Sequence, residues 1–367
     1  MNLRLPGPTP VPPEVVKAGS ADMINHRGPE FAALIEATTE GVRRVYATTN
    51  DLFILSASGS GGMEAAVVNH VHPDEQVLVV TIGVFGQRFV QICEAFGARP
   101  TELAFEFGTA ADVNQIDEAL QANPNIRTVL ITHNETSTGT TNVFLPDVAQ
   151  VVHNHDCLLI VDAVSSLSSV PCPVDEWELD VVVSGSQKGW MTAPGLSFVS
   201  VSDRAWERAA HNPTPRFYFD LQKAKDYLET GQTPWTPTIS VFYQLEQGLQ
   251  MMFEEGLENV YQRHRDLARM TREAVRGMGL ELFAGEGLES DTVTAVKIPE
   301  GMDGIEFLRV ARDEFDTVFA GGQGSMRGQI FRFGHLGYVT PDHIEAGLAA
   351  VRGTLERLGH PIPAAAG

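Results

Sequence analysis

The chain is poor in lysine, in cysteine and in long apolar runs, and each shortage excludes a class of protein. Only five lysines occur in 367 residues: Lys17, Lys188, Lys223, Lys225 and Lys297. The formal charge is -21. That excludes a nucleic-acid partner, because phosphate backbones are bound by clustered Lys and Arg. The three cysteines, Cys93, Cys157 and Cys172, form no CxxC pair and are too few for a disulfide framework. Cys93 and Cys157 lie in apolar stretches and read as small core residues. No apolar run approaches the roughly 20 residues that span a bilayer, so no membrane association is expected. The opening MNLRLPGPTPVPPEV is broken by proline and lacks the apolar stretch of a signal peptide. The chain ends in AAAG, which is no sorting tag, so a cytoplasmic location is expected. His153 and His155 read as a solvated helix end, and His70 and His72 precede a turn at Pro73, so no metal site is expected.

What is present reads as an ordinary globular protein, 43% hydrophobic and 20% charged. Its length exceeds what one core usually serves, so two domains are expected. Short apolar runs alternate with helical patterns, the signature of a mostly parallel sheet covered by helices. LFILSAS (52–58), QVLVVTI (76–82), TVLIT (128–132), CLLIVD (157–162), DVVVS (180–184) and LSFVSVS (196–202) read as buried strands. GGMEAAVVNHV (61–71) and FGQRFVQICEAF (85–96) read as helices. After TPWTPT (233–238) the texture changes to long amphipathic helices at about 240–279, then TVTAVKI, IFRFG and a final helix from 341. The expected organisation is an arm at 1–20, a large α/β domain at 21–255 and a smaller α+β domain at 256–367. The arm is expected to pack across the small domain or across a partner subunit.

In a parallel sheet, ligands bind outside the carboxyl ends of the strands, so the polar residues just past each strand are the candidates. They include SGSGG, GVFGQR, HNETSTG, Asp162 and SGSQKG. Ser58 to Gly62 lie between a strand and a helix, where free N–H groups and the helix dipole favour a phosphate. Glycines at such turns also occur for purely structural reasons. A dinucleotide would want an acid closing the next strand, which ends instead in Thr81, Ile82 and Gly83. Asp162 closes an apolar strand, either as a loop or helix cap or as the partner of a protonated ring nitrogen. Lys188 is the one lysine expected at a strand end, whereas Lys223 and Lys225 sit in QKAKDYLE, a mixed-charge helix face. One lysine, one strand-end acid, one aromatic and a Gly/Ser-rich helix start suit an aldehyde cofactor that carries a phosphate.

With these motifs assembled, the chain resembles the class V (fold-type I) pyridoxal-phosphate aminotransferases, particularly the alanine–glyoxylate and serine–pyruvate/glyoxylate group. The motifs are PGPTPVPPEV, SGSGGMEA, GVFGQRF, HNETSTGT, LLIVDAVSS, SGSQKG, TPWTPT and RFGHLG, in family order over nearly the whole chain. The resemblance implies that Lys188 is the Schiff-base lysine and the base that moves the substrate Cα proton. It implies that Asp162 binds the pyridine nitrogen, with Val164 on one ring face and Phe85 on the other, where relatives often carry Trp. Thr136 would contact the phenolic oxygen, and Ser58, Gly59, Ser60 and Gln187 would hold the phosphate. Thr236 would reach the phosphate of the neighbouring subunit, which implies a homodimer with shared sites. Arg332 would clamp the substrate carboxylate in a bidentate pair.

The cofactor supports several reactions, so the protein selects among them. No cysteine follows Cys172, which removes the desulfurase branch, where a thiol acts from the C-terminal part. The expected reaction is transamination between a small amino acid, alanine or serine, and a 2-oxo acid, glyoxylate or pyruvate. Three alternatives stay open. One is an acidic substrate (phosphoserine, aspartate or glutamate), since His26-Arg27 resembles a His-Arg pair that binds substrate phosphate across the dimer in phosphoserine aminotransferases. The others are a lyase and a non-catalytic accessory subunit.

Overall fold

The computed structural model describes residues 1–363. Its strands, in chain order, are β1 (Asn2–Arg4), β2 (Asp51–Leu55), β3 (Gln76–Thr81), β4 (Arg99–Ala104), β5 (Thr128–Thr132), β6 (Asn134–Glu135), β7 (Thr140–Thr141), β8 (Leu158–Asp162), β9 (Val181–Gly185), β10 (Ser197–Val201), β11 (Val293–Lys297), β12 (Thr317–Gly321) and β13 (Ile330–Gly334). The main sheet has seven strands in the order β2-β10-β9-β8-β5-β3-β4. Only β10 runs against its neighbours, β2 and β9. This is the fold-type I α/β architecture.

The buried strands are continuous apolar runs because helices cover both faces of a parallel sheet. Successive side chains then alternate between two cores. Val181, Val183 and Ile160 pack with Met63, Ala66 and Val67 on one face. Val182, Leu159 and Val161 pack with Phe31, Leu34, Phe242 and Leu245 on the other. Apolar runs alone do not reveal β4, whose residues Arg99, Thr101, Glu102 and Ala104 are exposed at the sheet edge. The same holds for β12, which is only partly buried.

Four helices precede or flank the strand ends: α1 (Pro13–Ala18), α2 (Pro29–Tyr46), α3 (Gly59–His70) and α4 (Val84–Ala95). The amphipathic stretch expected at about 240–279 is two helices, Ile239–Glu255 and Leu257–Gly277, separated at Gly256. A second sheet, ordered β1-β12-β13-β11, carries its own core of stacked phenylalanines. Phe307 and Phe331 lie 4.6 Å apart there, with Phe319 and Phe333 beside them.

The N-terminal arm enters this second sheet: Asn2–Arg4 pair in parallel with Thr317–Phe319. Beyond β1 the chain crosses to the main sheet as a strap. The Thr9 N–H donates to the Gln187 carbonyl at 3.1 Å, and the Thr9 hydroxyl donates to the Lys188 carbonyl at 2.9 Å. Gly334, at the end of β13, lets the strap pass. A Cβ there would overlap the Leu5 carbonyl and lie 2.7 Å from the Pro6 nitrogen, both backbone groups that cannot swing away. Gly334→Ala is therefore expected to destabilise the protein by about 1–3 kcal/mol, the usual cost of overpacking. The urea midpoint measures this; an unchanged midpoint would mean that the strap is not held where it crosses β13.

Candidate active site

The strand-end residues converge on one cleft of about 230 Å³. β2 delivers Ser58, Gly59 and Ser60 through the start of α3. β3 delivers Phe85 and Arg88 through α4. β5 leads to Asn134 and Thr136, β8 ends in Asp162 and leads to Val164 and Ser165, and β9 leads to Gln187 and Lys188. The strap closes one side with Gly7 and Pro8.

Lys188 is 9% exposed, and its amine donates to the Pro6 carbonyl at 2.7 Å. Burial pulls its pKa down to about 8, the Arg332 and Arg88 guanidinium groups push the same way, and Asp162 opposes them. Gly7 has φ +147°, a backbone conformation that favours glycine, and a Cβ there would sit 2.5 Å from the Lys188 amine. Asp162 is 4% exposed, and one carboxylate oxygen accepts the Val164 N–H at 2.9 Å. Burial pushes its pKa up to about 6, against the pull of that N–H, and nearby Glu135 adds to the rise.

Two helix starts face the cleft, each with N–H groups that lack intrahelical acceptors. At α4 they are satisfied from within: buried Glu135 accepts from the Phe85 N–H and the Gly86 N–H, both at 3.1 Å. The Ser137 hydroxyl also donates to Glu135, at 2.6 Å. At α3 the N-cap Ser58 makes no side-chain capping bond, which leaves the first turn open to an anion. Gln187 has a buried side-chain amide oxygen with no protein partner.

Of the residues expected from the sequence, Ser58, Gly59, Ser60, Phe85, Thr136, Asp162, Val164, Gln187 and Lys188 line the cleft together. Arg332 lies behind its wall, 5% exposed, donating to the Thr136 carbonyl at 3.2 Å and to the Gly321 carbonyl at 2.8 and 3.0 Å. It makes no ion pair among the described residues. Thr236 is exposed and does not join the cleft of its own chain. Arg27 is also outside it, donating to the Gln232 side chain and to the Thr233 and Pro234 carbonyls. Sequence reasoning missed Gly7, Pro8, Arg88, Asn134 and Glu135. Arg88 and Glu135 stand inside GVFGQRF and HNETSTG, and the strap inside PGPTPVP, but nothing in those strings signals which side chains turn toward Lys188.

The residues fit a phosphorylated heterocyclic aldehyde. The amine is partly neutral near pH 8, the acid lacks a cationic partner at bonding distance, and the uncapped helix start suits a phosphate. A strand-end lysine, an acid and an anion cradle on this fold define the class of pyridoxal-phosphate enzymes. Within that class the chain belongs to the family Aminotransferase class-V, whose family model matches residues 2–321. It is 39% identical to the "Soluble hydrogenase, small subunit" of Synechococcus sp. (strain PCC 6716), over 98% of this chain and 94% of that protein. It is 36% identical to the L-aspartate–glyoxylate aminotransferase of Paracoccus denitrificans, over 99% and 93%. It is also 36% identical to the serine–glyoxylate aminotransferase of Methylorubrum extorquens, over 92% and 86%. Among solved structures, the ureidoglycine–glyoxylate aminotransferase of Bacillus subtilis superposes with a TM-score of 0.93 at 29% identity, over 99% of this chain and 95% of that one. The protein is a pyridoxal-phosphate-dependent aminotransferase.

Asp162 carries a stability cost that a test can expose. Its folded pKa of about 6 lies above the ordinary 3.8, so stability falls as pH rises through that window and the whole penalty applies above it. In cofactor-free protein, Asp162→Asn is expected to gain about 1–3 kcal/mol at pH 7.5 and nothing at pH 3.5. Urea midpoints at both pH values check this. A gain of equal size at the two would show that charge burial is not the cause.

Proposed function

We propose that the protein transfers the amino group of a small amino acid, alanine or serine, to glyoxylate, with pyruvate as a related acceptor. The carrying observation is Arg332: a buried guanidinium beside the cleft that binds only backbone carbonyls, so its charge is uncommitted to any carboxylate. One such anchor suits a substrate with a single carboxylate.

Pyridoxal phosphate, once bound, supplies the electron sink that makes the substrate Cα–H acidic. Lys188 would hold the cofactor aldehyde through its amine and would carry the Cα proton, work suited to a pKa of about 8. Asp162 would keep the pyridine nitrogen protonated. Phe85 and Val164 would hold the ring, and Thr136 would meet its phenolic oxygen. Ser58, Gly59, Ser60 and Gln187 would receive the phosphate. Arg332 orients the carboxylate of the amino acid or 2-oxo acid, and the strap excludes water from the side of Lys188.

The reading includes a homodimer in which Thr236 serves the neighbouring site. Its support is that Thr236 is exposed and lies outside its own cleft. The division into an arm at 1–20, a large domain at 21–255 and a small domain at 256–367 draws support from the two sheets with separate cores. No helix among the described residues is long and apolar enough to cross a membrane. The three cysteines are free and buried, which supports a reducing, cytoplasmic location.

A second reading takes an acidic donor, favoured by the relative named for L-aspartate–glyoxylate transfer and by Arg27, which grips the segment leading into Thr236. Against it, Arg27 lies outside the cleft of its own chain. The accessory-subunit reading gains only the names of two relatives called soluble-hydrogenase subunits, and the complete constellation around Lys188 weighs against it.

Single amino acids added to the cofactor-loaded protein separate these readings through the visible absorption of the bound cofactor. Alanine or serine is expected to bleach the band and glyoxylate to restore it. Bleaching by aspartate or phosphoserine alone would overturn the donor assignment. Lys188→Ala is expected to abolish the band and the transfer. Capture of pyridoxal phosphate by cofactor-free protein should rise with pH through about 8, where Lys188 loses its proton, and a midpoint near the ordinary lysine value of about 10.5 would contradict its buried setting.

A further inference from the structure

We propose that Arg88 is a cofactor-phosphate residue, supplying the positive charge that the anion cradle at the start of α3 does not contain. The inference rests on the pyridoxal-phosphate reading of the cleft. The cradle segment SASGSGG offers hydroxyls and N–H groups but no lysine or arginine. A phosphate monoester carries nearly two negative charges at neutral pH, and a helix start offsets only about half of one. Arg88 comes from the neighbouring helix, α4, and lines the same cleft.

Its guanidinium is placed for this from two sides. One nitrogen donates to the Ser60 hydroxyl at 2.9 Å, and the group lies 4.7 Å over the Phe85 ring. Phe85 and Arg88 are three apart on one helix, so their side chains are neighbours. Glu135 fixes the start of that helix by accepting its first N–H groups. Arg88 makes no ion pair among the described residues, so its charge is not spent on a protein carboxylate. A guanidinium has five N–H donors, and most of these remain free.

The bond to Ser60 has a further consequence. A serine hydroxyl has one hydrogen to give and two lone pairs to receive. With Arg88 occupying a lone pair, the Ser60 hydrogen turns away from Arg88. Ser60 lines the cleft, so that hydrogen is available to an acceptor on a bound ligand. A phosphate oxygen near Ser60 therefore accepts from the hydroxyl, from the open N–H groups of α3 and from Arg88.

The test measures equilibrium affinity of the cofactor-free protein for pyridoxal phosphate and for pyridoxal, which lacks the phosphate, by intrinsic fluorescence or calorimetry. Arg88→Gln is expected to weaken pyridoxal phosphate by about 10- to 100-fold while leaving pyridoxal within about 3-fold, as for loss of a charge-assisted contact to one group. Inorganic phosphate should compete with pyridoxal phosphate on the unmodified protein and need a concentration about tenfold or more higher on the variant. Equal weakening of both ligands would assign Arg88 to ring stacking or folding and overturn the proposal. No weakening of either would do the same. If Arg88→Gln does not fold, Arg88→Lys keeps a charge without the fork and should lose affinity for pyridoxal phosphate selectively, though less. Equal losses in that variant would also overturn the assignment. Failure of the unmodified protein to prefer pyridoxal phosphate over pyridoxal would overturn the cofactor reading, and this inference with it.

Discussion

Burying a primary amine at the mouth of a sheet costs solvation, and the surroundings of Lys188 both impose that cost and limit it. Desolvation and two guanidinium groups favour the neutral amine, and Asp162 restrains them. The result lies near neutrality, where a group can both accept and release a proton. The Pro6 carbonyl supplies an acceptor at 2.7 Å, so the buried donor is not left unpaired. That single bond constrains distant parts of the chain. The strap passes only if residue 7 lacks a side chain and residue 334 does too. It starts in β1, paired to β12, so the second sheet and the lysine of the first are tied through about five residues.

The two helix starts divide the electrostatic work. Both point positive ends at the cleft, but α4 is neutralised by buried Glu135, whereas α3 is left open. Of the two helix starts, that of α3 is the one left open to an anion. The same carboxylate that closes α4 holds its first turn in position, and with it Phe85 and Arg88. Glu135 also raises the pKa of Asp162, so one buried acid influences both the placement of Phe85 and Arg88 and the protonation of Asp162.

The parts legible in the sequence were those governed by one-dimensional rules. Strands such as TVLIT and LLIVD announce themselves because both faces of a central parallel strand are buried, and the first polar residue past each one points to the ligand side. That logic found Asp162 and Lys188 before any geometry was known. It does not reach β4, whose exposed edge breaks the apolar run, or β12. Arg88 and Glu135 lie inside motifs that were noticed, but their roles depend on the approach of α3 to α4 and of residue 135 to a helix start 50 residues earlier. Such contacts leave no periodic trace. The strap is the extreme case: Pro6 meets Lys188 across 182 residues of chain, through a carbonyl that every residue type possesses.

Net charge poses a further problem, since the molecule carries -21 while its cofactor and substrates are anions. At physiological salt a field decays over about 8 Å, so scattered surface acids count for little at a recessed site and the nearest charges decide. Near the cleft those are Lys188, Arg88 and Arg332 against Asp162 and Glu135. Glu135 is committed to the start of α4, and Asp162, raised to a pKa of about 6, contributes one negative charge at neutral pH. The local balance is therefore positive inside an acidic protein. A bound phosphate would consume part of that excess and a protonated ring nitrogen would pair with Asp162, leaving Arg332 without a carboxylate at bonding distance. An acid on the substrate side chain would need a further cation, and Arg27 lies outside the cleft of its own chain. Charge accounting at the cleft thus favours a substrate with one carboxylate over a substrate with two.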